Sequence, residues 1–116
     1  MNRILIVEDN QDVAEVFAQL VEIIGHETKI AADVEPALAL TREWLPAMVL
    51  CDLGLPGDGL EFARACKREE ALRSIRLIAV SGFTSDEHTR RAHAAGFDDL
   101  LCKPLDFSTL QRICEA

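Results

Sequence analysis

The 116 residues are 49% hydrophobic and 28% charged, a balance that supports one packed core and excludes a disordered chain. Twenty acidic residues against twelve basic ones give a formal net charge of −8, which argues against a nucleic-acid-binding face and against docking on anionic lipid. Apolar runs such as Ile4–Val7 and Met48–Cys51 are far too short to cross a bilayer, and Glu8 and Asp9 cut the first one off before it could serve as a secretory signal.

The elements alternate from the start. Arg3–Val7 reads as a continuous apolar strand. Asp12–Gly25 reads as a helix, with Val13, Val16, Phe17, Leu20, Val21 and Ile24 at helical spacing, Asp12 as N-cap and Gly25 as the stop. Glu27–Ala31 is a weaker strand. A second helix is capped near Asp33, takes Pro36 in its first turn and ends before Pro46. Met48–Cys51 is a buried strand. Leu60–Arg68 is helical, with Leu60, Phe62 and Ala63 facing inward. Leu77–Val80 is the fourth strand, Ser85–Ala95 a polar helix stopped by Gly96, Leu100–Cys102 the fifth strand and Ser108–Cys114 the last helix.

Continuous apolar strands imply a sheet covered on both faces, and strand–helix alternation implies parallel crossovers. The expected fold is a three-layer, doubly wound α/β domain spanning residues 1–116. In such folds chemistry gathers beyond the carboxyl ends of the strands. Those positions hold Glu8 and Asp9 after the first strand, Asp52 after the third, Ser81 after the fourth, and Lys103 followed by Pro104 after the fifth. Taken singly, each is an ordinary turn acid, turn serine or surface lysine. Taken together, three carboxylates at one edge repel one another unless a cation neutralises them. A hard divalent cation with oxygen ligands, magnesium above all, satisfies that set, and Lys103 and Ser81 stand ready for an anion. Phosphoryl chemistry, which needs mainly positioning and charge neutralisation, is the reading that follows.

These residues, from Ile4-Leu5-Ile6-Val7-Glu8-Asp9-Asn10 through Val49-Leu50-Cys51-Asp52-Leu53-Gly54-Leu55-Pro56 and Ile78-Ala79-Val80-Ser81-Gly82 to Ala95-Gly96-Phe97-Asp98-Asp99-Leu100-Leu101-Cys102-Lys103-Pro104, resemble the receiver domain of two-component response regulators along essentially the whole chain. The resemblance implies a flavodoxin-like five-stranded parallel sheet flanked by five helices, in strand order 2-1-3-4-5. It implies that Asp52 accepts a phosphoryl group from a phosphohistidine of a histidine kinase or histidine phosphotransfer protein. Asp9, Asp52 and the backbone carbonyl of Gly54 would hold Mg²⁺, with Glu8 acting through water. Lys103 and Ser81 would contact the phosphoryl group, backbone N–H groups of Leu53 and Gly82 would complete its cradle, and the Lys103–Pro104 bond would be cis. A downstream partner would read the face made by the fourth helix, fifth strand and fifth helix, and the chain is a candidate homodimer.

Three departures stand out. Leu100 occupies the place where the family carries a switch aromatic; the chain has no Tyr, and Phe97 is out of position to substitute. The loop from Gly54 to Gly59 is one residue short of the common pattern. The chain stops at Ala116 with no output domain, so it is either a stand-alone receiver or part of something larger. The Gly-Leu-Pro-Gly loop and the Gly-Phe-Asp segment are closer to receivers of hybrid kinases or phosphorelays than to those of transcription factors. Gly54 and Phe83 flank the site and are expected to tune the lifetime of the phosphorylated state. Cys51, Cys66, Cys102 and Cys114 include no Cys-x-x-Cys and read as reduced, mostly buried thiols of a cytoplasmic protein. His26, His88 and His93 read as surface residues, Trp44 and Phe17 as packing residues. Arg90-Arg91 and Asp98-Asp99 read as solvated charges, with an inter-subunit pair as the alternative. Two other classes remain to be weighed: a phosphorylation-independent binding module on the same fold, and a magnesium-dependent aspartyl phosphatase. The phosphatase would carry an acid two residues after its nucleophile, where this chain has Gly54.

Overall fold

The computed structural model describes residues 2–55, 58–82 and 85–115. Five strands, β1 (Arg3–Val7), β2 (Glu27–Ala31), β3 (Met48–Asp52), β4 (Arg76–Ser81) and β5 (Asp99–Cys102), form one parallel sheet in the order β2-β1-β3-β4-β5. Helices α1 (Gln11–Ile24), α2 (Val34–Trp44), α3 (Gly59–Arg68), α4 (Asp86–Ala95) and α5 (Phe107–Glu115) connect or follow them, and one 3-10 turn at Glu70–Leu72 precedes β4.

Side chains of a strand alternate between faces, and the two halves of the core divide on that period. Leu5, Val7, Val49, Cys51, Leu77 and Ala79 pack into one cluster with Ala37, Phe62, Ala63, Cys66, Ala92 and Ala95 from α2, α3 and α4. Ile4, Ile6, Met48, Leu50 and Ile78 pack on the other face with Ala14, Ala18 and Val21 of α1 and Leu110 and Cys114 of α5. Both faces of the three central strands are dry, which is why their sequences run apolar without alternation. Each fully buried Leu, Ile or Phe here contributes about 1.5–3 kcal/mol over its exposed state.

The helix starts follow capping chemistry, with one difference from expectation. Asn10, not Asp12, caps α1: its side-chain oxygen accepts the Val13 N–H at 3.1 Å, and Asp12 lies inside the first turn. There its charge complements the helix dipole. Asp33 caps α2, Asp58 caps α3 and Ser85 caps α4, while Asp106 accepts the Thr109 N–H at 2.7 Å at the start of α5. Gly25 and Gly96 end α1 and α4 at φ of 115° and 121°. Such a backbone suits glycine.

At the end of α2 a Leu takes the same left-handed role: Leu45 has φ 50° and is 54% exposed, so its side chain gains little in return for the strain. Leu45→Gly is therefore expected to raise stability by about 0.5–1 kcal/mol, the relieved strain exceeding the added chain entropy. Urea melts of the two proteins check this, and a lower midpoint for the glycine variant would contradict it.

Asp98 shows a second difference from the sequence reading. The residue is exposed, as read, but its carboxylate also accepts the Leu77 N–H at 2.8 Å while its own N–H donates to the Leu77 carbonyl at 2.7 Å. It thus fastens the α4–β5 connection to the start of β4. Arg91 pairs with Glu87 at 3.8 Å on α4 itself. Phe97 is buried in the core, and Trp44 packs on it with Lys29 and Arg3 stacked near its ring at 5.3 and 5.7 Å. Cys51, Cys66 and Cys114 are buried and Cys102 is exposed. Burial drives the Cys51 thiol strongly upward and the Cys66 and Cys114 thiols up to about 11, so none of these three is a ready thiolate.

Candidate functional site

Parallel packing brings the carboxyl ends of β1, β3, β4 and β5 to one edge. The Glu8 N–H donates to the Ala31 carbonyl, the Leu53 N–H to the Val80 carbonyl and the Lys103 N–H to the Ser81 carbonyl. These three bonds extend the sheet ladder one residue past the strands and thereby fix where Glu8, Asp52 and Lys103 begin. Asp52 is itself the last residue of β3, with Val80 as its register partner. Ser81, the last residue of β4, is buried. The Lys103–Pro104 peptide bond is cis.

Glu8, Asp9 and Asp52 converge: each offers a carboxylate oxygen, and the three lie within 4.8 Å of one another. The three histidines take no part in this group. Lys103 Nζ sits 3.1 Å from Asp52 Oδ2 and 3.2 Å from Glu8 Oε1, an ion pair spanning nearly the whole sequence. The remaining oxygens are held by main chain. Gly54 N–H donates to Asp52 Oδ1 at 2.8 Å, and Asn10 N–H donates to Glu8 Oε2 at 3.2 Å. Glu8 is only 3% exposed and Asp52 8%, whereas Asp9 is exposed.

Burial and pairing split the two inner acids electrostatically. Burial raises the Glu8 carboxyl, and its hydrogen bond to Asp52 raises it further against the opposing Asn10 N–H. Asp52 is also pushed up by burial, but the Gly54 N–H, the Glu8 carboxyl and Lys103 together outweigh this and hold it below the ordinary aspartate value. Lys103 loses to burial and regains more from Asp52 and Glu8, so it stays firmly cationic. Without a metal, a proton is thus held more readily by Glu8 than by Asp52, with Lys103 as the cation between them.

A second carboxylate pressed against Asp52 and a third beside it is an arrangement a hard divalent cation relieves. The all-oxygen donor set fits Mg²⁺, which takes one or two carboxylates, carbonyls and water. Gly54 belongs to this geometry: a Cβ there would sit 3.3 Å from Asp52 Oδ1, so the missing side chain keeps the turn tight against the acid. The Leu53 N–H is committed to Val80, which leaves the Gly54 N–H as the amide facing the Asp52 carboxylate. At Gly82 a Cβ would meet nothing within 4 Å among the described residues.

Leu100 lies on β5 opposite Ala79, partly buried against the core cluster that α2, α3 and α4 cover. The short loop at Pro56 and Gly57, and Phe83, lie outside the described residues. Sequence reasoning missed two features. One is Asn10 as the α1 cap, for which its amide side chain was the available signal. The other is an apolar cavity of about 230 Å³ lined by Val13, Phe17, Lys103, Pro104 and Leu105, directly beside the lysine. Phe17 was legible as a packing residue, but its side chain also walls this cavity.

An open α/β sheet in this strand order, with acids after its first and third strands and a lysine after its fifth, has the layout of a signal-receiver domain. The chain belongs to the response regulator receiver domain family, whose model matches residues 4–115. It is 38% identical over 97% of its length to a probable methanogenesis regulatory protein, FilR2, of Methanothrix harundinacea, covering 78% of that protein. It is 36% identical over 88% of its length to the polar-differentiation response regulator DivK of Brucella abortus, covering 84% of that protein. Among solved structures, the signal receiver domain of a DNA-binding response regulator of Colwellia psychrerythraea superimposes with a TM-score of 0.90 at 30% identity, over 97% of this chain and 94% of that one.

Proposed function

We propose that this receiver domain is a phosphorylation-dependent signalling switch in which Asp52 accepts a phosphoryl group from a phosphohistidine donor. The observation that carries this reading is the single ammonium of Lys103 bridging Asp52 and Glu8, beside a third acid, at one edge of the sheet. An Asp52 oxygen attacks phosphorus as the P–N bond to the donor histidine breaks, and the histidine nitrogen leaves with the electron pair and takes a proton. Asp52 is already the anion this attack requires. Lys103 is placed to turn from the carboxylate to the transferred oxygens, where charge builds up. The Gly54 and Gly82 N–H groups and the Ser81 hydroxyl supply further donors to those oxygens. Asp9, Asp52 and the Gly54 carbonyl would hold Mg²⁺, with Glu8 acting through water; when bound, the ion would neutralise the crowded carboxylates and the incoming phosphate.

The donor is a histidine kinase or histidine phosphotransfer protein of the cytoplasm, and residues 1–116 act as one unit. Phosphorylation adds about two negative charges at Asp52 and shifts the population of the α4–β5–α5 face toward a state that a downstream protein, or a second copy, binds. No external substrate turns over: the position two residues after Asp52, where an acid/base carboxylate would act, is Gly54. A second reading rests on Leu100. An aliphatic side chain already packed against the core offers no aromatic rotamer to couple, which favours a binding module that signals without phosphate.

One experiment separates the two. Incubation with Mg²⁺ and acetyl phosphate should add a single phosphoryl group by intact mass, and Asp52→Asn or EDTA should abolish it. A wild-type protein that takes up none leaves only the binding module.

A further inference from the structure

The β1–α1 turn is built around one residue with three tasks. The Asn10 N–H donates to Glu8 Oε2 at 3.2 Å, its side-chain oxygen accepts the Val13 N–H at 3.1 Å, and its carbonyl accepts the Ala14 N–H at 2.9 Å. The last two bonds hold residue 10 in extended backbone at φ −81° and ψ 109°, with α1 fixed behind it. That conformation aims the main-chain N–H at Glu8. The other Glu8 oxygen goes to Lys103, so the carboxylate is gripped from both sides. Asp9, exposed on the same turn, has its backbone pinned between residues 8 and 10.

We infer that Asn10 is a positioning residue for the metal site: its cap on α1 sets the turn that presents Glu8 and Asp9 to a divalent cation. This rests on the reading that Glu8, Asp9 and Asp52 hold Mg²⁺. An Asn here touches neither the cation nor the phosphoryl group; it acts through the backbone. Losing a partner that orients metal ligands commonly costs about 10–100-fold in affinity. A cap with only a structural role would cost stability and leave the cation alone. A positioning cap costs affinity, and any side chain that restores the cap restores it.

Mg²⁺ titrations by calorimetry, alongside melting of the metal-free proteins, decide between these. Asn10→Ala should weaken Mg²⁺ binding about tenfold. Asn10→Ser, which keeps a capping oxygen, should recover affinity to within about twofold of wild type. Ser85→Ala removes the uncharged cap of α4 and should lower the melting temperature while leaving Mg²⁺ affinity unchanged. Unchanged affinity in Asn10→Ala, no recovery in Asn10→Ser, or an equal loss in Ser85→Ala overturns the inference. A wild-type protein that binds no Mg²⁺ fails before any substitution is made, and so overturns the underlying reading along with it.

Discussion

Lys103→Ala is expected to slow phosphoryl uptake at Asp52 by about 10²–10³-fold, the usual loss when one pre-placed charge stabiliser is removed. The same change should tighten Mg²⁺ binding. Lys103 is the resident cation of the site, 3.1 Å from Asp52 and 3.2 Å from Glu8, and a metal must compete with it for both carboxylates. Affinity and rate thus move in opposite directions, which a general loss of structure does not produce. Stability should fall modestly. Removing one partner of a fully buried ion pair costs about 3–5 kcal/mol. Here the lysine is about one-third exposed and Glu8 can take up a proton in its place, so about 1–2 kcal/mol is expected. Stopped-flow uptake from acetyl phosphate and Mg²⁺ calorimetry on one preparation test this. Weaker Mg²⁺ binding in the variant would show that Lys103 holds the acids in place rather than competing for them.

The convergence of Glu8, Asp9, Asp52 and Lys103, with Ser81 at the same sheet edge, was legible because it depends only on strand direction. Once continuous apolar strands fix a parallel sheet, every residue just past a strand lies on the same edge. What that logic leaves out is how the side chains share partners. Which acids Lys103 takes depends on rotamers meeting across ninety-five positions of chain. The α1 cap was misassigned because Asn10 and Asp12 are both good capping types. The choice falls to the last residue kept extended, and Asn10 is kept so by its own bonds at the end of β1. Asp98 reads as a surface charge from composition alone; its carboxylate faces the unpaired Leu77 N–H only after β4 and β5 have aligned. Leu45 shows the same limit in the backbone: Pro46 announces that α2 stops, but not that the stop is made by a left-handed leucine.

Mg²⁺ should stabilise the protein against urea, and more so at about pH 8 than at about pH 5, by a margin that depends on Glu8. The Glu8 carboxyl is raised above its ordinary value of 4.5, so its contribution to metal-free stability is complete below that value and is lost as pH climbs through the raised one. Asp52 works the other way. It is held below its ordinary 3.8, so its contribution is in place above that value and disappears only as the solution becomes more acidic. Lys103 is raised from 10.5 and gives way only in alkali. As pH climbs above the ordinary glutamate value, Glu8 is therefore the group among these three whose charge is set to change, and the metal-free protein weakens as it ionises. The cation reverses that loss, since ionised Glu8 no longer faces Asp52 uncompensated and protons no longer compete for the site. At a hundredfold excess over its dissociation constant Mg²⁺ adds about 2.7 kcal/mol. Glu8→Gln fixes the neutral form, so its metal-free stability should lack the Glu8-dependent fall with rising pH, and the difference in Mg²⁺ stabilisation between the two pH values should shrink. Asp9→Asn should lose most of the stabilisation at either pH. Equal Mg²⁺ stabilisation of the wild type at both pH values, or full stabilisation of Asp9→Asn, would mean that the cation sits somewhere other than between these acids.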